Sequence, residues 1–143
     1  MANILTQVVG EKEILVFHPS TVNELDIPPG ASSSRIQDPF SKELQHLGFH
    51  GILRPGDAVY IPPLWPHATR PSTPNVGVNV FWKSFKDNLY DRGKDVYGNK
   101  DILNYTEGRK LLERIAKSFK NVDGDTKEFY MKRLASELES MAR

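Results

Sequence analysis

The chain has 143 residues, 38% hydrophobic and 26% charged, with 19 Lys and Arg against 18 Asp and Glu for a formal net charge of +1. That length is one compact domain or a large part of one, and the near-neutral balance lacks the clustered basic footprint that would name nucleic acid from charge alone. The absence of cysteine excludes a disulfide framework and any thiolate metal site, so a metal would have to use oxygen ligands and the four histidines.

No window approaches the roughly twenty apolar residues of a membrane span, and Met1 to Glu13 lacks a charged stretch followed by an apolar one. The expectation is an intracellular protein, cytoplasmic or nuclear, with no membrane association. Ten Gly and ten Pro indicate many tight turns and therefore short strands.

Ile4 to Val9 and Lys12 to His18 are β-rich runs joined at Gly10-Glu11, the pattern of a hairpin. Strand character so close to Met1 gives the expectation that companion strands lie upstream of this chain. Residues 19–48, with Pro28-Pro29-Gly30 and Ser32 to Ser34, read as an irregular surface insertion ending in a short helix near Ser41 to Leu47. Strands return at His50 to Leu53, Asp57 to Ile61 and Val76 to Trp82, with a turn at Arg54-Pro55-Gly56. In the last run Val76, Val78 and Val80 share one face and Gly77, Asn79 and Phe81 the other. Phe81, Trp82 and Phe85 are expected in the core.

After Lys83 the composition turns charged and helical, so the predicted organisation is a sheet region at 1–83 and a helical region at 84–143. Tyr90 to Asp101 acts as a connector. One helix carries Leu111, Ile115 and Phe119 on a stripe with Leu112 and Ala116 beside it, and Asn104 with Glu107 forms an expected N-terminal cap pair. A second helix aligns Tyr130, Leu134, Leu138 and Met141, with Asp125 and Glu128 as its cap pair.

The most informative segment is Pro55-Gly56-Asp57-Ala58-Val59-Tyr60-Ile61-Pro62-Pro63-Leu64-Trp65-Pro66-His67, which reads as turn, buried strand, Pro-rich bend and histidine. A strand exit stiffened by three prolines holds the next side chain at a fixed angle, as a metal ligand requires. The segment resembles the late metal-binding strand pair of the JmjC and cupin-like oxygenases: Pro-Gly-Asp, hydrophobic residues, Ile-Pro, then Trp and His. The likeness continues through Val76 to Lys83 and from Tyr90-Asp91 to Asp95-Val96-Tyr97-Gly98-Asn99-Lys100-Asp101, and spans Ile4 to Leu138. It is nearest to the branch of that family that hydroxylates wybutosine, a modified guanosine of tRNA.

The resemblance implies an α+β fold, part of an antiparallel double-stranded β-helix barrel followed by a C-terminal pair of α-helices. It implies a 2-oxoglutarate-dependent dioxygenase using Fe(II), with tRNA as partner; the alternatives are a protein side-chain hydroxylase or demethylase, and a non-catalytic cupin remnant serving as a dimerisation or binding module. The family holds iron with a His-x-Asp or His-x-Glu pair and a late histidine. His67 matches the late histidine, whereas His18, His46 and His50 are followed by Pro19-Ser20, Leu47-Gly48 and Gly51-Ile52, so none supplies the pair. The other two ligands are expected upstream of Met1, and the isolated chain is expected to be inactive. Lys12 matches the lysine that pairs with the distal carboxylate of 2-oxoglutarate, Asn3 a residue that hydrogen-bonds the same cosubstrate, and Asn79 is a third candidate.

Plainer roles stand beside these. Lys12 also reads as a charge blunting a strand edge, His67 as a ring packed under Trp65, and Asn79 as half of a structural hydrogen bond. The mixed charges of the two helices read as a solvated face, and their wide apolar stripes as the interface of a homodimer.

Overall fold

The computed structural model describes residues 1–91, 93–95 and 100–142. The Val96-Tyr97-Gly98-Asn99 part of the sequence motif lies outside them. The chain forms two compact units, Met1–Leu103 and Asn104–Arg143.

Among the described residues the first unit contains six strands: β1 Ala2–Val9, β2 Lys12–Phe17, β3 Gly48–Leu53, β4 Ala58–Ile61, β5 His67–Pro71 and β6 Val76–Trp82. They form two antiparallel three-stranded sheets, ordered β4-β1-β6 and β3-β2-β5. Leu5 and Ile61 of one sheet close against Ile14, Val16 and Leu53 of the other, with Val59 and Trp65 at the margin. The fold is therefore mixed α+β, with its core between the sheets.

The expected β1–β2 hairpin does not form. Each of the two strands is the centre of its own sheet, with both edges already paired. The connection is a corner: the register slips between Gln7 and Val9, and Gly10 takes a positive φ of 69°. A bulge followed by a left-handed glycine turns a strand out of one sheet and into the facing one. The β3–β4, β4–β5 and β5–β6 connections cross between sheets as well.

The 19–47 segment does more than run over the surface. A 3₁₀ turn, Pro19–Thr21, is capped by His18, whose Nδ1 accepts from the Ser20 N–H at 3.2 Å. The segment ends in α1, Lys42–Gln45, shorter than predicted. Between them Leu25 and Phe40 bury against Leu15 and Phe17. This gives β2 a second core on its other face, which is why Ile14-Leu15-Val16-Phe17 is a continuous apolar run with all four residues buried.

Two further expectations are corrected, and one strand was not foreseen. The strand ending at Ile61 is an edge strand in which Ile61 alone is buried. Phe81 and Trp82 are exposed at 50% and 40%, not core, and Trp82 stacks on Tyr60 at 6.0 Å on the outer face. And β5 was invisible in the sequence: His-Ala-Thr-Arg-Pro has no apolar alternation, and its Pro71 is tolerated because β5 lies at a sheet edge.

Two helices follow, α2, Leu103–Ser118, which enters the second unit at Asn104, and α3, Gly124–Met141, within it. The caps fall elsewhere than predicted. Asn104 lies inside α2, and α3 is capped by Asp123, whose Oδ1 accepts from the Thr126 N–H at 3.0 Å. That hydrogen bond to Thr126 holds the Asp123 carboxyl below the usual aspartate range. Glu107 and Glu128 turn instead to Lys110 and Lys132, at 2.6 and 2.5 Å. Phe119 meets Tyr130, and no described residue of either helix is buried. Among the described residues no helix is long and apolar enough to cross a membrane.

Candidate functional site

Strand parity decides what faces the space between the sheets. With Leu5 in the core, Asn3 and Gln7 point the same way, and the partners on β6 are Phe81 for Asn3, Asn79 for Leu5 and Gly77 for Gln7. On the facing sheet Lys12 shares its side with Ile14 and Val16, and His67 pairs with Val16.

Asn3 is 5% exposed, and its Nδ2 donates to Asn79 Oδ1 at 3.2 Å, a diagonal bond across the β1–β6 ladder. Asn3 Oδ1 finds no partner among the described residues. An unsatisfied buried amide costs about 1–3 kcal/mol, so such a group is usually waiting for something. Turning both amides over preserves the bond and offers the Asn3 Nδ2 donor in place of the oxygen.

Lys12 is half-buried, and its ammonium lies 3.3 Å from where a Cβ on Gly77 would stand. Gly77 thus makes the room the lysine occupies. Among the described residues the Lys12 ammonium has neither an ion-pair nor a hydrogen-bond partner. The nearby carboxylates are taken, Glu11 by Arg54 at 3.1 Å and Glu13 by Arg70 at 2.9 Å. Lys12 is thus an unpaired cation on the half-buried side of β2 that carries Ile14 and Val16.

His67 is exposed, and its Nδ1 sits 3.2 Å from the Trp65 carbonyl. When Nδ1–H donates there, Nε2 keeps a free lone pair, the arrangement that orients metal-binding histidines. The approach to it is stiff: Trp65 N–H reaches Pro62 O at 3.4 Å over a turn in which Leu64 holds φ at 69°. Lys12 pairs with Pro71 and Val16 with His67, so lysine and histidine are four residues apart along β2, roughly 13 Å.

A family model for the cupin-like domain matches residues 1–88. The chain belongs to the cupin-like domain family. Over 100% of its length it is 41% identical to tRNA wybutosine-synthesizing protein 4 of Neurospora crassa, of which it covers 13%. It is 43% identical to the Emericella nidulans protein of that name, covering 14% of it, and 34% identical to tRNA wybutosine-synthesizing protein 5 of Danio rerio, covering 45%. The chain thus spans about one-seventh of the first group and just under half of the second.

All four residues singled out in the sequence fall inside this cupin-like domain. Asn3 and Asn79 touch, Lys12 faces the same interior, and His67 stands further along β2's edge partner. Iron(II), which the resemblance implies, does not fit what is present: among the described residues no group of three His, Cys, Asp or Glu side chains could hold a metal ion. His18 packs edge-on against Trp65 and His50 reaches Glu13 at 3.6 Å, so neither joins His67. On the same strand faces the chain offers the unpaired ammonium of Lys12 and the amides of Asn3 and Asn79, the latter exposed, groups that can pair with one carboxylate and hydrogen-bond to a polar group.

Sequence reasoning missed Gln7 and Gly77. Alternation alone puts Gln7 on the face of Asn3 and Leu5, but its place opposite Gly77 comes from the strand register, which the sequence does not carry.

Proposed function

We propose that this chain is the cosubstrate-binding portion of a 2-oxoglutarate-dependent hydroxylase of the wybutosine pathway, with tRNA as substrate and an intracellular place of action. The observation that carries the reading is the unpartnered Lys12 ammonium facing the interior beside the Asn3–Asn79 pair. Lys12 takes the distal carboxylate of 2-oxoglutarate, Asn3 and Asn79 bind its polar end, and the apolar side chains of Leu5, Ile14 and Val16 keep water from the strand faces between. His67 supplies one imidazole donor toward iron, and the oxidation is not assigned to the residues of this chain. The substrate follows from the names of the relatives, which are tRNA wybutosine-synthesizing proteins.

Calorimetric titration of the chain with 2-oxoglutarate tests this. Lys12→Ala is expected to weaken binding roughly 10–100-fold, the worth of one charge-assisted hydrogen bond. Equal affinity in the two proteins would remove Lys12 from the site, and no binding by the unaltered chain would sink the reading.

The terminal helices leave Leu112 and Leu138 about half exposed and Met141 78% exposed. They pair with a second copy of the chain in this proposal, since large apolar side chains exposed in such number on two helices are normally covered. Sedimentation equilibrium should give a dimer mass that Leu138→Glu reduces to the monomer; a monomeric unaltered chain at tens of micromolar would exclude the pairing.

A further inference from the structure

Gln7 is fully buried, at 0% exposure, and nothing above assigns it a role. Its backbone is pinned on both sides: the N–H donates to Asp57 O and the carbonyl accepts from Gly56 N–H, each at 2.9 Å. Its Nε2 donates to Val9 O at 2.7 Å and Gly10 O at 3.0 Å, so both amide protons are spent on the corner between β1 and β2. The amide cannot turn without breaking those two bonds. Oε1 is therefore forced away from the corner, buried and without a partner among the described residues. It lies 3.3 Å from the point where a Gly77 Cβ would stand, and the Lys12 ammonium lies 3.3 Å from that same point.

We propose that Gln7 is the positioning residue of the anion site: Oε1 and the Lys12 ammonium, unbonded to each other here, come together when a ligand enters, so that the fixed oxygen receives one ammonium proton and the others face the ligand's carboxylate. This rests on the dicarboxylate reading above. An ammonium has three donors and a flexible four-carbon stem, so without a second acceptor it does not hold one position. A neutral amide supplies that acceptor and leaves the charge free for the ligand, where a carboxylate would neutralise it. The neighbours of Lys12 agree with this. Leu53, Pro71 and Gly77 flank it on the other strands, and none of them titrates. The carboxylates of Glu11 and Glu13 are engaged by Arg54 and Arg70. Gly77, opposite Gln7, keeps the gap between oxygen and ammonium open.

Two readings on the full chain carrying Gln7→Glu test the proposal. The first needs no ligand: an NMR titration of the Lys12 ammonium should show its pKa raised by the facing carboxylate. The second is calorimetry with 2-oxoglutarate and the one-carbon-shorter oxaloacetate. Affinity for 2-oxoglutarate should fall by about tenfold or more, and its preference over oxaloacetate should shrink, because a lysine drawn to the new charge no longer measures ligand length. If the unaltered chain binds neither acid while the Lys12 pKa still rises, the dicarboxylate reading fails and takes the positioning role with it, leaving only the Gln7–Lys12 proximity. If the chain binds 2-oxoglutarate and the substitution moves neither the pKa nor the preference, the positioning role is overturned and the dicarboxylate reading survives. Should the variant fail to fold, the unaltered protein decides: ligand-bound Lys12 should show slowly exchanging ammonium protons close to the Gln7 amide. Exchange as fast as at the exposed Lys42 and Lys117 would overturn the proposal.

Discussion

An alanine at position 10 should cost the Met1–Leu103 unit most of its stability and take dicarboxylate binding with it. Gly10 holds φ at 69°, a region that costs a side-chain-bearing residue roughly 1–2 kcal/mol. The larger cost is steric: the new Cβ would stand 2.2 Å from the Pro74 carbonyl oxygen and 2.8 Å from Thr73 Oγ1. A backbone oxygen cannot rotate aside. The β1–β2 corner and the β5–β6 connection would have to separate, although Glu11 N–H donates to Thr73 Oγ1 at 2.9 Å and Ser72 N–H to Glu11 O at 3.1 Å. Lys12 and Gln7 flank this corner, so its displacement reaches the site directly. Gly56→Ala is the matched control, with φ at 95° and nothing within 4 Å of its added Cβ. Thermal unfolding of both variants separates the terms: Gly56→Ala should show the conformational cost alone, and Gly10→Ala a much larger loss. Equal melting temperatures would mean that the corner is free to move.

The difference between what the sequence disclosed and what it hid follows from how local each signal is. The inward parity of Gly77 and Asn79 was legible because a strand has a period of two whatever it pairs with. The Pro-rich approach to His67 was legible because proline restricts its own φ. The β1–β2 hairpin failed because Gly10-Glu11 encodes a turn and not its destination; whether the chain folds back on one sheet or crosses to another depends on strands contributed by residues 48–82. For the same reason β5 left no trace, being held by its pairing with β2 and not by its own composition. The exposure of Phe81 and Trp82 was hidden because an aromatic residue in a strand reports apolar character and says nothing about which face is covered. At the site, Lys12, Asn3, Asn79 and His67 came from resemblance. Gln7 needed the three-dimensional structure, because its importance lies in one oxygen left over after its two protons are used.

Phe17→Ala tests the second core, the one that the sequence read as a surface insertion. The ring is 2% exposed on the outer face of β2, against Leu25 and Phe40 from the 19–47 segment. It also lies close over Gly48, where an added Cβ would come within 2.9 Å of its Cδ1. Removing a buried phenylalanine ring costs about 3–5 kcal/mol in transfer and cavity terms, a large share of the roughly 5–15 kcal/mol that holds a domain. The polar links between the segment and the sheet cannot compensate. Arg70 stacks over Phe40 at 4.5 Å and reaches Asp38 at 4.0 Å, but its side chain is half exposed, and contacts of that kind contribute about 0–1 kcal/mol each. Amide hydrogen exchange should therefore show residues 19–47 losing protection first. The inner core of Leu5, Ile14, Val16, Leu53 and Ile61 faces the other way and should hold longer. Because Lys12 and Asn3 lie on that inner side, 2-oxoglutarate affinity should survive in the folded fraction. Uniform loss of protection across both units of packing would show instead that the two faces of β2 unfold as one cooperative core. Affinity lost while the protein remains folded would place the ligand on the outer face.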